Sequence, residues 1–108
     1  MLFIHAEDFF ALADQIPPLS REEEKQLAQE KAENPAARDR LIRGYFPMVA
    51  AHIRRAPRSL HTLKTVYVCL ASLEKGVDSF NFLQESEPFS HHLSWRMRQC
   101  ITRCIADR

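Results

Sequence analysis

Apolar side chains recur at intervals of three and four residues through most of this 108-residue chain, which places them on one side of an α-helix. The alternating runs of Val, Ile or Thr that favour strands are absent from the sequence, and prolines separate the periodic segments. The pattern therefore predicts an all-α fold, a compact bundle of about five helices.

The first two helices are predicted over Ala6 to Gln15 and over Arg21 to about Glu33. Two consecutive prolines follow the first segment and prevent its continuation. Before the second segment, the Ser20 hydroxyl is spaced to accept from the Glu23 amide while the Glu23 carboxylate reaches back. This arrangement is a capping box, and it predicts the start of the second helix.

A third helix is predicted to begin at Pro35, because Asn34 can cap it and proline is favoured at the first helical position. Its apolar positions continue to Ile53. Pro47 lies inside this stretch and cannot donate a backbone hydrogen bond, so the helix should kink near residues 44–47.

Ser59 is predicted to cap a fourth helix with apolar positions through residues 63–77. Its outward side is polar and basic, and carries His61, Lys64, Thr65, Val68, Ser72 and Lys75. Residues 81–88 are predicted as a loop, and a fifth helix should start at Pro88 or Ser90 and run close to the terminus.

The fifth helix separates into two arcs of opposite character. The apolar arc, predicted to face the core, holds Phe89, Leu93, Met97, Cys100, Ile101, Cys104 and Ile105. The opposite arc holds His91, His92, Trp95, Arg96, Gln99, Thr102 and Arg103, with Arg98 at the edge between the arcs. Such side chains stack on bases, bond base edges and contact phosphate, which indicates nucleic-acid binding. The alternative is a Trp95 covered by the 81–88 loop or by the first helix, among charges that only solvate a surface.

Charge is divided unevenly along the chain, although the formal net charge is only +1. Residues 1–40 hold five basic and nine acidic residues, whereas residues 41–108 hold ten basic and five acidic. The small total excludes a polybasic protein whose whole surface is cationic. The carboxyl half is therefore the half expected to meet phosphate.

Other chemistries are weakly represented in the sequence. Three cysteines without a Cys-x-x-Cys pair predict reduced thiols in a cytoplasmic protein, and the sequence shows no secretory signal and no apolar stretch of about 18 residues. His92 and Cys100 lie about 12 Å apart along one helix, too far to share an ion, so no metal or other cofactor is expected. Without a glycine-rich phosphate loop or an oriented nucleophile, the chain is not expected to be an enzyme.

The last helix also resembles a known family in residue order. From Pro88 to Asp107 the sequence resembles the promoter-melting and −10 recognition helix of bacterial sigma-70 family RNA polymerase sigma factors. The matches are Phe89-Ser90, Trp95, Arg98-Gln99, Ile101-Thr102-Arg103 and Ile105-Ala106-Asp107. Further similarity at Pro18-Leu19-Ser20, Ala37 to Ile42 and Val77-Asp78 extends the resemblance over almost the whole chain.

The resemblance implies one sigma-70 domain 2-like helical domain over residues 1–108, with leading helices in 1–33 and core helices in 34–108. In the family, this domain binds the clamp helices of the polymerase β′ subunit and opens the −10 element by stacking and flipping nontemplate-strand bases. The implied function is transcription initiation, with promoter DNA and RNA polymerase core as partners. By position, the residues implied to face bases are Phe89, His92, Trp95, Gln99 and Thr102, with His91 beside them. Those implied to face phosphate are Arg96, Arg98 and Arg103.

Two departures from the family pattern change this expectation. The family usually has tyrosine where His92 stands and a second tryptophan where Arg96 stands, so half of the aromatic wedge is replaced. The family also has an acidic Asp-Leu-x-Gln-Glu-Gly stretch that contacts a basic clamp. The corresponding residues here are Lys64 through Cys69, so a lysine replaces an aspartate and the sign of the charged contact is reversed. Affinity for polymerase core is therefore expected to be weak, through the polymerase-facing residues His61, Lys64, Thr65 and Val68. The alternative function is a protein-interaction module that binds a regulator or a companion sigma fragment without melting DNA.

Overall fold

The computed structural model describes residues 3–83 and 87–107. Within these ranges the chain forms six α-helices and one short 3₁₀ turn, and no strand. In chain order they are α1 (Ala6–Asp14), α2 (Arg21–Glu30), α3 (Pro35–Gly44), α4 (Phe46–Arg55), the 3₁₀ turn (Arg58–Leu60), α5 (Leu63–Ser79) and α6 (Phe89–Asp107). None of the helices in the described ranges is long and apolar enough to cross a membrane. The all-α prediction is confirmed, and the sixth helix arises because the predicted third helix is divided in two.

The predicted capping box starts α2. The Glu23 amide donates to the Ser20 hydroxyl at 3.1 Å, and the Ser20 amide donates to the Glu23 carboxylate at 3.2 Å. These bonds satisfy backbone donors that the first turn of a helix leaves open, and the carboxylate faces the positive end of the helix dipole. α2 ends at Glu30, earlier than predicted, and residues 31–33 form a turn.

Tyr45 separates α3 from α4. Its amide donates to the carbonyl three residues back at 3.1 Å, and Pro47, in the first turn of α4, has no amide that could continue the α3 hydrogen-bond ladder. Leu19 packs against Gly44, where a larger side chain would overlap it. The kink predicted near residues 44–47 is therefore a complete break between two helices.

The start of α5 differs from the prediction. Ser59 lies in the 3₁₀ turn, and Thr62 caps the helix by accepting a hydrogen bond from the Thr65 amide at 3.3 Å. Serine and threonine are both good caps, and the burial of Leu60 by the 3₁₀ turn favours the later one. The prediction of Ser59 as the cap is wrong for this reason.

The core lies where α5 and α6 pack along each other and against α1, α3 and α4. Its largest fully buried side chains include Phe9, Leu41, Val49, Ile53, Val66, Leu73, Phe89, Leu93 and Met97. Full burial of each such side chain contributes about 1.5–3 kcal/mol. The apolar arc of α6 is buried as predicted through Met97, whereas Cys100 and Cys104 are partly exposed and Ile105 is 40% exposed. The last turns of α6 therefore extend past the core.

Two bidentate ion pairs tie helices together at the surface. Arg38 of α3 donates to the Asp78 carboxylate of α5 at 2.8 and 2.9 Å. Arg54 of α4 donates to the Asp14 carboxylate of α1 through two bonds of 2.8 Å. In each pair the hydrogen bond from arginine lowers the pKa of the aspartate below its ordinary value. Both carboxylates are therefore ionised at neutral pH.

Candidate nucleic-acid interface

The outer face of α6 is open to solvent along most of its length. Its exposed side chains are His91, Trp95, Arg98, Gln99, Thr102 and Arg103. Trp95 is 54% exposed, so α1 does not cover it. Residues 84–86 of the loop considered as its cover lie outside the described residues. Most of the polar arc predicted from the sequence therefore reaches solvent on one side of the helix.

Trp95 is the outermost of three aromatic rings that follow one another toward the surface. The Phe80 and His92 rings lie 5.2 Å apart with 27° between their planes, and the His92 and Trp95 rings lie 6.4 Å apart with 28° between theirs. Phe80 and His92 are partly buried, so the ring series of Phe80, His92 and Trp95 connects the core to solvent. A further planar group can join this series only from the solvent side of the indole.

Phe89, expected to face bases, is fully buried. The centroid of its ring lies 4.8 Å from that of Tyr45, 4.9 Å from that of Phe82 and 5.2 Å from that of Phe80. The expectation that Phe89 contacts bases is therefore corrected. Phe89 belongs to the apolar arc of α6, which places it beneath the ring series. Phe89 instead supports the site from inside the core.

Trp95 separates two grooves along α6. The first, here called the Arg98 groove, has a volume of about 870 Å³ and is lined by Phe80, His91, His92, Ser94, Trp95 and Arg98, among others. The second, here called the Arg96 groove, lies between α5 and α6 with a volume of about 390 Å³, and its lining includes Ser72, Lys75, Trp95, Arg96, Gln99 and Arg103. The indole thus forms a ridge with a depression on either side, one lined by both Arg98 and Glu87 and the other by the cationic side chains of Lys75, Arg96 and Arg103.

Arg96 is held by α5. Its Nε donates to the Ser72 carbonyl at 3.0 Å and lies 3.2 Å from the Ser72 hydroxyl. Its stem passes over Gly76, where an added Cβ would lie 3.0 Å from the Arg96 Cδ. These contacts direct its Nε–H into the junction of α5 and α6, while the partly exposed side chain also lines the Arg96 groove, so the contact of Arg96 with phosphate stays a prediction.

His52 of α4, which the sequence reasoning did not select, lies beside α6. The His52 Nε2 and Ser94 Oγ atoms are 3.4 Å apart. The pKa of His52 is lowered by burial and by the nearby charges of Arg55 and Arg98. The basic residues in the last turn of α4, His52, Arg54 and Arg55, were the sequence signal for a contribution of this helix to the interface. Only the packing of α4 on α6 shows which of these side chains approach the interface.

The residues expected to face polymerase do not share one exposed surface. Lys64 is exposed and Val68 is partly exposed, and both line a cavity of about 250 Å³ between the start of α5 and the end of α6. Thr65 lines the same cavity but is only 2% exposed, with its hydroxyl 3.2 Å from that of Thr62, so its expectation as a contact residue is corrected. His61 is partly buried, with its ring edge-on to Phe10 at 5.9 Å.

The three cysteines are free thiols. Burial raises the pKa of Cys69 to about 12, so this thiol is protonated and unreactive at neutral pH. In the described part of the chain, no group of His, Cys, Asp and Glu side chains is arranged to hold a metal ion. The chemistry available on the outer face of α6 is therefore stacking, hydrogen bonding and cationic attraction.

Curated sigma factors are similar to most of this chain. RNA polymerase principal sigma factor HrdD of Streptomyces griseus is 39% identical over 90 residues, which cover 82% of this chain and 26% of that protein. HrdD of Streptomyces coelicolor is 38% identical over 77 residues, 70% of this chain and 23% of that protein. RNA polymerase sigma factor SigA of Clostridium acetobutylicum is 35% identical over 95 residues, 86% of this chain and 25% of that protein.

The chain thus spans about a quarter of the length of the curated relatives that it matches. No protein-family model matches it. The identity to named sigma factors agrees with the motif resemblance in α6 and covers most of the helices described above. The chain therefore carries a region of the sigma-70 family of RNA polymerase sigma factors.

Proposed function

We propose that this chain is a sigma-like transcription initiation protein whose α6 binds unpaired bases of promoter −10 DNA. The observation that carries the proposal is the ring series that ends in the exposed Trp95, with hydrogen-bonding and cationic side chains on the same helix face. The curated relatives are RNA polymerase sigma factors by name, which supports the same role.

A base that stacks on Trp95 would extend the ring series by one planar group. Stacking on an aromatic side chain contributes about 1–3 kcal/mol per base. An unpaired base reaches the indole directly, whereas a base inside a duplex must first be unstacked at a cost of about a few kcal/mol. We therefore expect a preference for single-stranded over double-stranded DNA.

The polar neighbours of Trp95 suit the rest of a strand. Gln99 and Thr102 lie about 6 and 10 Å beyond the indole along the helix axis, and both side chains can donate to and accept from base edges. Arg98 and Arg103 are exposed beside them, as phosphate contacts require. His91, one turn before the indole, continues the same face. These residues provide the positions at which bases and phosphates next to the stacked base would be held.

The arrangement favours capture of open DNA over melting of closed DNA. Arg96 stands where the family has its second tryptophan, and it is bonded to α5. His92, in place of the family tyrosine, is partly buried within the ring series. Half of the aromatic wedge is thus absent, so we expect binding of an unpaired −10 strand with little strand separation by this chain alone.

RNA polymerase core is the second partner in this proposal, contacted through the start of α5. Lys64 is exposed there, at the position of an acidic residue that the family uses against a basic clamp. Like charges at such a contact replace attraction with repulsion. We expect the chain to retain less core in a pull-down than an ordinary sigma factor, and Lys64→Asp to increase retention. Equal retention of core by the unaltered chain would contradict the charge argument.

The only tryptophan of the chain reports on the proposal directly. A single-stranded oligonucleotide of −10 nontemplate sequence should quench Trp95 fluorescence to saturation, with about tenfold weaker affinity for the complementary strand and for the duplex. A Trp95→Phe variant with a labelled oligonucleotide controls for quenching that does not arise from the indole. Quenching by none of the DNAs would contradict the proposal and favour a protein-interaction module that binds a regulator or a companion sigma fragment.

A further inference from the structure

Two thiols lie one helical turn apart near the end of α6. Cys100 and Cys104 are both free and partly exposed, and residues at this spacing lie on the same side of a helix. Val68 of α5 lines the Arg96 groove together with Cys100, and it lines the cavity of about 250 Å³ between α5 and α6 together with Cys104. Both cysteines therefore lie beside the same part of α5 and are reachable from solvent. They are here called the α6 thiol pair.

The third cysteine lies next to this pair but differs from it. Cys69 is fully buried. Burial, followed by the nearby thiols of Cys100 and Cys104, raises the pKa of Cys69 to about 12, so its thiol is protonated at neutral pH. The thiolate is the form of cysteine that binds soft ligands. The thiols available to a ligand at this junction are therefore the two of the α6 thiol pair.

The spacing of the pair selects the chemistry that can join the two sulfurs. Cβ atoms one turn apart on a helix are about 5–6 Å apart, whereas a disulfide needs about 3.5–4.5 Å. A direct S–S bond would therefore distort α6, but one larger atom that accepts two sulfurs can close the gap. Zinc would need four ligands, and among residues 3–83 and 87–107 no third His, Cys, Asp or Glu side chain completes a metal site. Trivalent arsenic is a soft centre that is satisfied by two thiolates and one further substituent.

The cavity beside Cys104 has room for that further substituent. Its lining includes the apolar side chains of Leu60 and Val68 and the buried Thr65. Its volume of about 250 Å³ exceeds the roughly 150 Å³ of an apolar cavity that holds benzene. An apolar group that enters the cavity gains free energy because its surface is removed from water. The cavity therefore favours an arsenical with an organic substituent over one that carries only oxygen.

We propose that the α6 thiol pair binds a trivalent organoarsenical through two As–S bonds, with the organic substituent in the cavity between α5 and α6. With phenylarsine oxide, two As–S bonds form while two S–H bonds and the As=O bond break, and the oxygen leaves with both protons as water. No atom changes its oxidation state, so neither an oxidant nor a reductant is required. The bridge spans one turn of the part of α6 that extends past the core, and it stabilises that turn. The site is separate from the proposed base contacts of Trp95, because no nucleic acid takes part in the reaction.

Phenylarsine oxide added to the whole chain, with glutathione as a competing monothiol, tests the pair. Intact-protein mass spectrometry should show one phenylarsenic group per chain with the loss of two hydrogens. Alkylation by iodoacetamide and peptide mapping should show that Cys100 and Cys104 lose their reactivity together. Cys100→Ser and Cys104→Ser should each lower the apparent affinity at least about a hundredfold, because the second As–S bond is then no longer intramolecular. Cys69→Ala is the matched control and should bind like the unaltered chain, with circular dichroism to verify its fold.

Two further measurements test the position of the ligand. The bound arsenical should slow amide exchange in residues 102–107, because the bridge holds the last turns of α6. Phenylarsine oxide should bind about tenfold more tightly than arsenite when each is measured in competition with dithiothreitol, and Val68→Ser should remove most of this difference.

Three outcomes would overturn the proposal. Two arsenic atoms per chain would mean that the cysteines react independently. An adduct that persists in Cys100→Ser and in Cys104→Ser, or that is lost in a folded Cys69→Ala variant, would place the ligand elsewhere. Equal binding of phenylarsine oxide and arsenite would show that the cavity does not hold the substituent. Quenching of Trp95 by single-stranded DNA is measured without arsenic, so the proposed function stands or falls separately.

Discussion

The two flanks of α6 use the same kinds of side chain for opposite purposes. Toward α5, Arg96 is bonded to Ser72, and in the first turn Phe89 is sealed in the core. On the outer face Trp95 is exposed, and toward α4 Arg98 has no carboxylate partner among the described residues. The tertiary partners of an aromatic ring or a guanidinium therefore determine whether it stabilises the fold or faces the site. The residue type alone does not determine this.

The end of α4 shows the same difference between neighbours in sequence. Arg54 is held by Asp14 through two bonds of 2.8 Å, whereas Arg55 acts on His52 at the side that meets α6. The first arginine stabilises the junction of α1 and α4, and the second is exposed without a carboxylate partner among the described residues. Variants of these side chains can therefore separate stability from binding.

The largest effect is expected for the buried ring. Phe89→Ala removes a side chain packed among Tyr45, Phe80 and Phe82, so the free energy of unfolding should fall by about 3–5 kcal/mol. Urea denaturation followed by circular dichroism measures this loss. If Phe89→Ala cost no more than Trp95→Ala, the contrast between the buried and the exposed ring would be wrong.

Trp95→Ala should change binding and leave the fold almost unaltered. Loss of one stacked base corresponds to about a tenfold drop in affinity for the single-stranded −10 oligonucleotide. The free energy of unfolding should change by less than about 1 kcal/mol, because the side chain is more than half exposed. Fluorescence anisotropy of a labelled oligonucleotide, with denaturation of the same sample, tests both parts. Unchanged anisotropy titrations would show that the indole has no part in binding.

Arg96 and Arg98 of α6 should differ in opposite ways. Arg96→Gln should lower the free energy of unfolding by about 1–2 kcal/mol, since the Ser72 carbonyl loses a charged donor, and should reduce the salt slope of binding less than Arg98→Gln does. Arg98→Gln should keep stability within about 0.5 kcal/mol and reduce the salt slope by about 0.7. Salt titrations and urea melts of both variants make the comparison. The reverse assignment of the two effects would contradict the structure.

The smallest effect concerns an arginine used for the fold. Asp78→Asn breaks the bidentate pair with Arg38 and should cost less than about 1 kcal/mol at neutral pH, because both side chains are partly exposed. The pKa of Asp78 is lowered by the hydrogen bond from Arg38, so the pair contributes above the ordinary aspartate pKa and is lost as pH falls through the lowered value. The difference between Asp78→Asn and the unaltered chain should therefore shrink as pH falls below the ordinary aspartate pKa, and denaturant melts of the two should coincide once pH is below the lowered value. A difference that persists at that pH would mean that the carboxylate charge is not its source.

Local signals in the sequence predicted the helices well. The spacing of Ser20 and Glu23 and the step from Asn34 to Pro35 carry the hydrogen bonds that start α2 and α3. The cap of α5 was missed because burial of Leu60 is a tertiary effect that moves the helix start to Thr62. Periodicity identified the outward direction of Trp95, since one face of a helix follows from spacing alone.

The site was harder to predict than the helices. The positional resemblance assigned Phe89 to bases and Arg96 to phosphate, but the first is buried against Tyr45, between α3 and α4, and the Nε of the second bonds to α5. His52 is distant in sequence from α6, and only the approach of α4 brings it to Ser94. Interactions between helices decide these roles, and a pattern along one helix does not contain them.

Photocrosslinking tests base stacking on Trp95 most directly. Single-stranded −10 oligonucleotides with 5-iodouracil at one position each would be irradiated with the chain, and the crosslinked residue identified by mass spectrometry. We expect one position to crosslink to Trp95 and its neighbours to reach the outer face of α6. Crosslinks confined to the start of α5, or spread over basic residues without reaching the indole at any position, would contradict it.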